Sequence, residues 1–250
     1  MSIENYSRHA EIWGWFSGDR ADEIDCWATL SKRYGATVLA AMVATGEVAA
    51  ALAGRGFKVT AVDITKEMVV EGIRRHGGNQ NLTFVEGDVR SLRLAEKEYD
   101  FAFIGTTDFH HLLTSSDRKA ALMNLYTHTR SGGGLGLELW FPSCISWSTP
   151  WKVFEPLSAP ADPTVKVWKK GQTEFNAESC MVTIAQEVFI ERGGRTEHFP
   201  HTFPLQLFDK DSLAVMLHGA GYTIAKEYGS YGFDPWTPQS PKWIVEAVKE

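Results

Sequence analysis

Along the chain, short apolar runs alternate with stretches whose apolar positions recur every three or four residues. "ATVLAAM", "FKVTAVD", "LTFVEGD", "EYDFAFIGTT" and "GGGLGLELWF" read as strands, because each is brief and is bounded by turn-forming residues. Between them, "GEVAAALAGRG", "TKEMVVEGIRRHGG" and "SDRKAALMNLYTHTR" read as helices. The first is expected to close at Gly54 or Gly56, the second to open on a Thr65 cap, and the third on Ser116 or Asp117. Residues 3–34 are expected to be helical as well. In "DEIDCWATLSKRY", Ile24, Trp27 and Leu30 (or Ser31) fall near helical spacing, with acids early and bases late as the helix dipole favours. Strands alternating with helices predict an α/β protein with a mostly parallel sheet covered on both faces.

From about residue 143 the pattern changes. Pro142, Pro150, Pro156, Pro160 and Pro163 break the chain, and residues 164–208 then alternate with period two around a Gly193-Gly194 turn. That segment reads as an antiparallel β insertion. After it come a helix, "DKDSLAVMLHGAGY", and a closing strand pair, "TIAKEYGSYG" and "SPKWIVEAVK". The division expected is a helical lid segment at 1–35, a cofactor-binding core at 36–142, a β-rich substrate-side insertion at 143–205, and a helix and hairpin at 206–250 that complete the core.

Composition narrows the function classes. The chain has 250 residues and a net charge of −6, with no Lys/Arg run, which argues against nucleic acid and membrane surfaces as partners. The three cysteines are far apart and show no metal-ligand spacing, so neither a disulfide framework nor a metal site is expected. The start lacks a basic region followed by an apolar core, and a cytoplasmic setting is the expectation.

Five stretches, taken in order, resemble the class I S-adenosylmethionine-dependent methyltransferases of the small-molecule subgroup. "TGEVAAALAGRGFKVTAVDITKEMV" resembles their first turn, helix and second strand, and "NLTFVEGDVRSL" their third-strand acidic motif. "YDFAFIGTTDFHHL" resembles the fourth strand with its substrate-facing loop, "SGGGLGLELW" the fifth strand, and the C-terminal segment the closing hairpin. The resemblance covers nearly the whole chain. It implies a Rossmann-like, seven-stranded sheet and S-adenosylmethionine as cofactor. The family's first turn has an acid and then glycines at every second position; here those places hold Ala40, Met42, Ala44 and Gly46. A methionine at the first glycine place would sit where the cofactor's methionine portion normally lies.

By that resemblance Asp63, with Ile64 after it, holds the ribose hydroxyls, and Asp88 and Val89 flank the adenine. Ala40, Met42, Gly46 and Thr106 border the cofactor, and Tyr6 serves as a lid residue. The plain alternatives are turn acids, core filler and a loose chain end. In "TTDFHHLL", at a strand's C-terminal end where open α/β sheets place ligands, His110 and His111 are candidate general bases. One capping a helix and the other solvated is the competing reading. Asp108, Glu138, Trp140, Trp147, Trp151 and Trp168 are candidate acceptor contacts; tryptophan as core filler under the insertion is the alternative. The leading expectation is methyl transfer to an N, O or S nucleophile of a small-molecule substrate. Two readings stay open: other chemistry on the same cofactor, such as intramolecular cyclisation or lyase action, or a non-catalytic relative binding another ligand or partner. The oligomeric state, a homodimer included, is left open too.

Overall fold

A computed structural model describes residues 6–95, 98–142, 148–157 and 162–250. Eleven strands among these residues form two sheets. In the first, β1 (Thr37–Ala41), β2 (Lys58–Asp63), β3 (Leu82–Glu86), β4 (Tyr99–Ile104) and β5 (Thr129–Leu139) run parallel. The strands β10 (Tyr222–Tyr228) and β11 (Trp243–Lys249) extend it in the order β10-β11-β5-β4-β1-β2-β3, and β11 pairs antiparallel with both neighbours. The order reverses direction between β1 and β4, which opens a crevice beyond their C-terminal ends.

Alternation along β1 shows how the sheet is buried. Val38 and Ala40 face one core with Trp27, Leu30 and Leu52, from α1 (Ala21–Tyr34) and α2 (Glu47–Gly54). Leu39 and Ala41 face the other with Leu122, Leu125 and Leu217, from α4 (Ser115–His128) and α5 (Lys210–Gly219). The helix α3 (Lys66–His76) follows β2. Both faces are covered, as a parallel sheet requires.

Two local expectations are corrected and a third holds in position only. Among the described residues helix is not continuous up to 34: a 3-10 turn at Ala10–Ile12 precedes α1, and Gly14 between them has φ +89°, a left-handed conformation that stops a helix. The α4 cap is Thr114, whose Oγ1 accepts from the Asp117 amide at 3.0 Å, not Ser116 or Asp117. Thr65 stands at the N-cap of α3 but makes no side-chain cap bond; instead its own amide donates to Asp63 Oδ1 at 2.8 Å.

The second sheet holds β6 (Thr149–Phe154), β7 (Lys166–Asn176), β8 (Met181–Arg192) and β9 (Arg195–Gln206), all antiparallel. Gly193 and Gly194 both have positive φ and make the β8–β9 turn that the sequence predicts. One face of this sheet packs on the N-terminal segment: Val167, Val188, Ile190 and Phe199 bury Ile12, with Trp15 and Phe16 alongside. The insertion thus stands on the carboxyl side of the first sheet, where Gln206 at the end of β9 meets the 3-10 turn Asp108–His111 that follows β4.

Candidate functional site

The loop after β1 decides the shape of the crevice. Met42, Ala44 and Gly46 all have positive φ, at 59°, 50° and 76°. The backbone therefore takes the turn that glycines normally permit, although two of the three places carry side chains. Gly46 is required at its place, because a Cβ there would lie 2.6 Å from the Phe84 ring. Asp63 fixes the loop from below: Oδ2 accepts from the Ala44 amide at 2.7 Å, and Oδ1 from Thr65. Burial raises the Asp63 pKa, and those amide bonds pull it back.

A cavity of about 260 Å³ lies beside this loop. Met42, Ala44, Asp63, Ile64, Met68, Asp88 and Val89 form one side; Tyr6, Trp13, Asp108, His111 and Thr114 form the other. A smaller cavity adjoins it and shares Trp13, Met42, Ala44 and Asp108. Its remaining wall includes Arg20, Glu23, Gly46 and Thr106. Arg20 is held by Glu23 through Nε and Nη2 at 2.8 and 2.9 Å, and Nη2 also reaches Thr106 Oγ1 at 2.8 Å. Among the described residues Nη1 makes none of these bonds, and the guanidinium borders the smaller cavity.

Asp108 stands where the cavities meet. Its pKa is raised well above the usual carboxylate value, first by burial and then by nearby Asp63, against which Arg20 works. His111 lies beside it, with Nε2 3.9 Å from Asp108 Oδ1 and 3.3 Å from the Tyr6 hydroxyl. Burial lowers His111 to about 4, so its ring is neutral near pH 7. Its Nδ1 is buried with no hydrogen-bond partner among the described residues.

The two adjacent histidines have separate fates. His110 is fully buried, its Nδ1 donates to the Gln206 carbonyl at 2.8 Å, and its Nε2 accepts from the Trp140 amide at 2.9 Å. Both nitrogens are used, burial lowers its pKa to about 4, and it cannot serve as a base. It pins the insertion to the core. Glu138 is corrected likewise: it is 2% exposed and accepts from Thr106 N, Tyr231 Oη and Lys242 Nζ at 2.9, 2.9 and 2.7 Å, so it stiffens the sheet edge and lines neither cavity. Ala40 points into the helix-side core with Trp27 and Val48, away from both cavities. Asp88 borders the larger cavity, yet its oxygens are forked by Arg90 at 2.6 to 2.9 Å, which lowers its pKa.

The tryptophans divide in the same way. Trp140 packs with Val182, Leu205 and Leu207; Trp168 stacks on Phe189 at 5.1 Å on the outer face of the insertion; Trp151 is 46% exposed on β6. None of the three lines either cavity. Trp147 lies outside the described residues. Sequence reasoning misses Arg20, and it offers Trp13, which lines both cavities, only as one of several tryptophans that could wall an aromatic pocket. Arg20 carries no periodic signal; Trp13 belonged to the aromatic-rich entry segment, where one ring is indistinguishable from the next.

Comparison with known proteins agrees with this geometry. Residues 38–133 match the family model described as a methyltransferase domain. A putative methyltransferase, YqeM of Bacillus subtilis (strain 168), is 20% identical over 230 residues, covering 91% of this chain and 90% of that protein. Among solved structures, the CcbJ methyltransferase of Streptomyces caelestis superposes with a TM-score of 0.80 at 17% identity, over 100% of both chains. The sugar N-methyltransferase KedS8 of Streptoalloteichus sp ATCC 53650 gives 0.77 at 13% identity, over 100% of this chain and 93% of that one. Residues 38–133 carry a methyltransferase domain, within a chain that has the fold of the class I S-adenosylmethionine-dependent methyltransferases.

Proposed function

We propose that the chain transfers a methyl group from S-adenosylmethionine to an N, O or S nucleophile on a small molecule. The observation that carries this is the loop Met42–Gly46, which keeps the left-handed turn at all three glycine places and opens onto a cavity floored by Asp63. The residues present fit the cofactor. Asp63 sets a carboxylate on the cavity wall for the ribose hydroxyls, Ile64, Met68 and Val89 offer apolar walls for a purine, and the Arg20 guanidinium suits a carboxylate. Asp88, forked by Arg90, contributes through its backbone and its place at the rim. Met42 then packs against the cofactor as a wall between the two cavities.

When bound, S-adenosylmethionine supplies an electrophilic methyl on a cationic sulfur. The chain's own residues do the rest. Tyr6 and Trp13 roof the cavity and exclude water, which strengthens every electrostatic contact inside. Asp108 presents a carboxyl at the junction and His111 a neutral imidazole beside it; either can take the acceptor's proton. The KedS8 and CalS10 neighbours, a sugar N-methyltransferase and an amino pentose methyltransferase, support a small acceptor. Calorimetric titration with S-adenosylmethionine tests the reading: saturable binding is expected, with S-adenosylhomocysteine and not methylthioadenosine as the product of turnover. Asp63→Ala should weaken binding by about 1.5–3 kcal/mol, the cost of losing a charged acceptor. Absence of heat at millimolar cofactor would end the proposal.

A further inference from the structure

The insertion sheet has an unusual inner face. Alternation puts Val167, Lys169 and Gly171 of β7 on the same side as Val188 of β8 and Phe199 and His201 of β9, where Val167, Val188 and Phe199 bury Ile12. In that apolar setting Lys169 is half-buried, its ammonium 4.4 Å from the Phe16 ring centre and 6.0 Å from Phe154. Burial alone lowers its pKa, and no carboxylate or hydrogen bond answers it among the described residues. A buried ammonium without a counter-charge is costly, and such groups are ordinarily paired.

His201 is the second observation. It is 2% exposed, and its Nδ1 is buried with no hydrogen-bond partner among the described residues. Its ring meets Tyr6 edge-on at 4.6 Å, and Tyr6 in turn reaches His111 on the wall of the larger cavity. Burial holds His201 near 3, with His9, His111 and Lys169 all contributing positive charge against its protonation. His111 and His201, each with an Nδ1 left without a partner among the described residues, both pack against Tyr6 and Phe203, and Lys169 adds a positive charge near His201. The N-terminal segment that roofs the cofactor cavity with Trp13 also covers Lys169 with Phe16.

We propose that the acceptor carries an anionic group, a carboxylate or phosphate, which seats between Lys169 and His201 while its nucleophile reaches Asp108 and His111. This rests on the methyltransferase reading and specifies its substrate class. The anion supplies the counter-charge Lys169 lacks and accepts from His201 Nδ1 in the tautomer that carries its proton there. The acceptor would span the joint between core and insertion, with the reacting atom at one end and its charge at the other.

The test is calorimetric titration of the full chain, saturated with S-adenosylhomocysteine, with benzoate, phenyl phosphate and benzamide. At least one anion should bind about tenfold tighter than neutral benzamide, the range expected for a charge-assisted hydrogen bond. Whichever anion binds better identifies the headgroup. Lys169→Met should abolish that advantage and leave benzamide unchanged, Lys169→Arg should retain it, and Lys170→Met, on the outer face, should have no effect. Equal binding of all three probes, no binding of either anion, or an advantage that survives Lys169→Met would overturn the proposal. Cofactor binding is measured in the same preparations without the probes, so failure of the methyltransferase reading appears as loss of S-adenosylhomocysteine binding and is distinct from a missing anion preference.

Discussion

Met42, Ala44 and Gly46 share one backbone conformation and differ in what it costs them. A left-handed residue with a Cβ is disfavoured by about 1–2 kcal/mol, whereas glycine is not. Ala44→Gly removes that strain but adds unfolded-state freedom of about 0.5–1 kcal/mol, so stability in urea should change little or rise. Gly46→Ala meets both the φ of 76° and a Cβ contact of 2.6 Å with Phe84, and should lose about 2 kcal/mol or more. If the two variants unfold alike, the loop does not keep this conformation in solution. Met42→Gly is the sharper case. The side chain packs partly against Val62 and Val89's core and walls both cavities, so removal opens space on each side. Tighter S-adenosylmethionine binding would mark Met42 as an obstruction; weaker binding with the fold intact marks it as a contact, which the geometry favours. The sequence made Asp63 legible because an acid ending the second strand has few other uses. It could not separate His110 from His111. Neighbours in a 3-10 turn point in different directions, and only the far-off carbonyl of Gln206 and amide of Trp140 decide which one is consumed.

At the level of elements, the parallel strands and their helices were readable because each alternates or repeats with its own period. Ends were less so. The α4 cap falls on Thr114, one residue ahead of the first helical position, because its hydroxyl both accepts from the Asp117 amide and donates to the Asp117 carboxylate at 2.7 Å. Thr114→Ala should lower stability by about 1 kcal/mol, whereas Ser116→Ala should be near neutral; chemical denaturation of the pair settles which residue caps. Residues 8–20 depart from the helix that the pattern predicts, because tryptophans, an isoleucine and acids at mixed spacing satisfy a helical pattern only loosely. Its real constraint is tertiary: Arg75 of α3 donates to the Trp13 and Glu11 carbonyls at 2.8 Å, and Ile12 is buried in the insertion. The insertion's strands were legible from their alternation, but not which face would meet the core. That depends on contacts between segments more than a hundred residues apart, and so Trp168 on the outer face and His201 on the inner one carried no distinguishing mark. Among the described residues no helix is long and apolar enough to cross a membrane, so the Ala-rich stretch around α2 is an ordinary buried helix.

For the molecule as a whole, the joint between the two sheets is built from imidazoles that must stay neutral. His110, His111 and His201 come from the turn after β4 and from β9, and burial lowers all three, to about 4, 4 and 3. A histidine whose folded pKa lies below its unfolded value binds its proton more readily when unfolded. Its neutral form therefore supports the fold fully above about pH 6.5, and that support declines as the pH falls toward the folded value. Asp63 and Asp108 act in the opposite sense, since their raised pKa values favour the folded state on acidification. The net slope of the wild type is thus a difference of opposed contributions, and a comparison isolates one of them. His201 faces Tyr6 and His9 of the N-terminal segment, His111 of the turn, Phe203 of its own strand, and the charge of Lys169 from β7. His201→Phe keeps the ring stacking and removes the proton site, leaving the contributions of the two aspartates in place. One such histidine changes stability by at most about 1.4 kcal/mol per pH unit. Between pH 7 and pH 5 the wild type should therefore lose more stability than His201→Phe, by about 1–2 kcal/mol, seen as a larger fall in thermal midpoint. Parallel curves for the two proteins would mean that His201 titrates normally, and that the joint is open to water in solution.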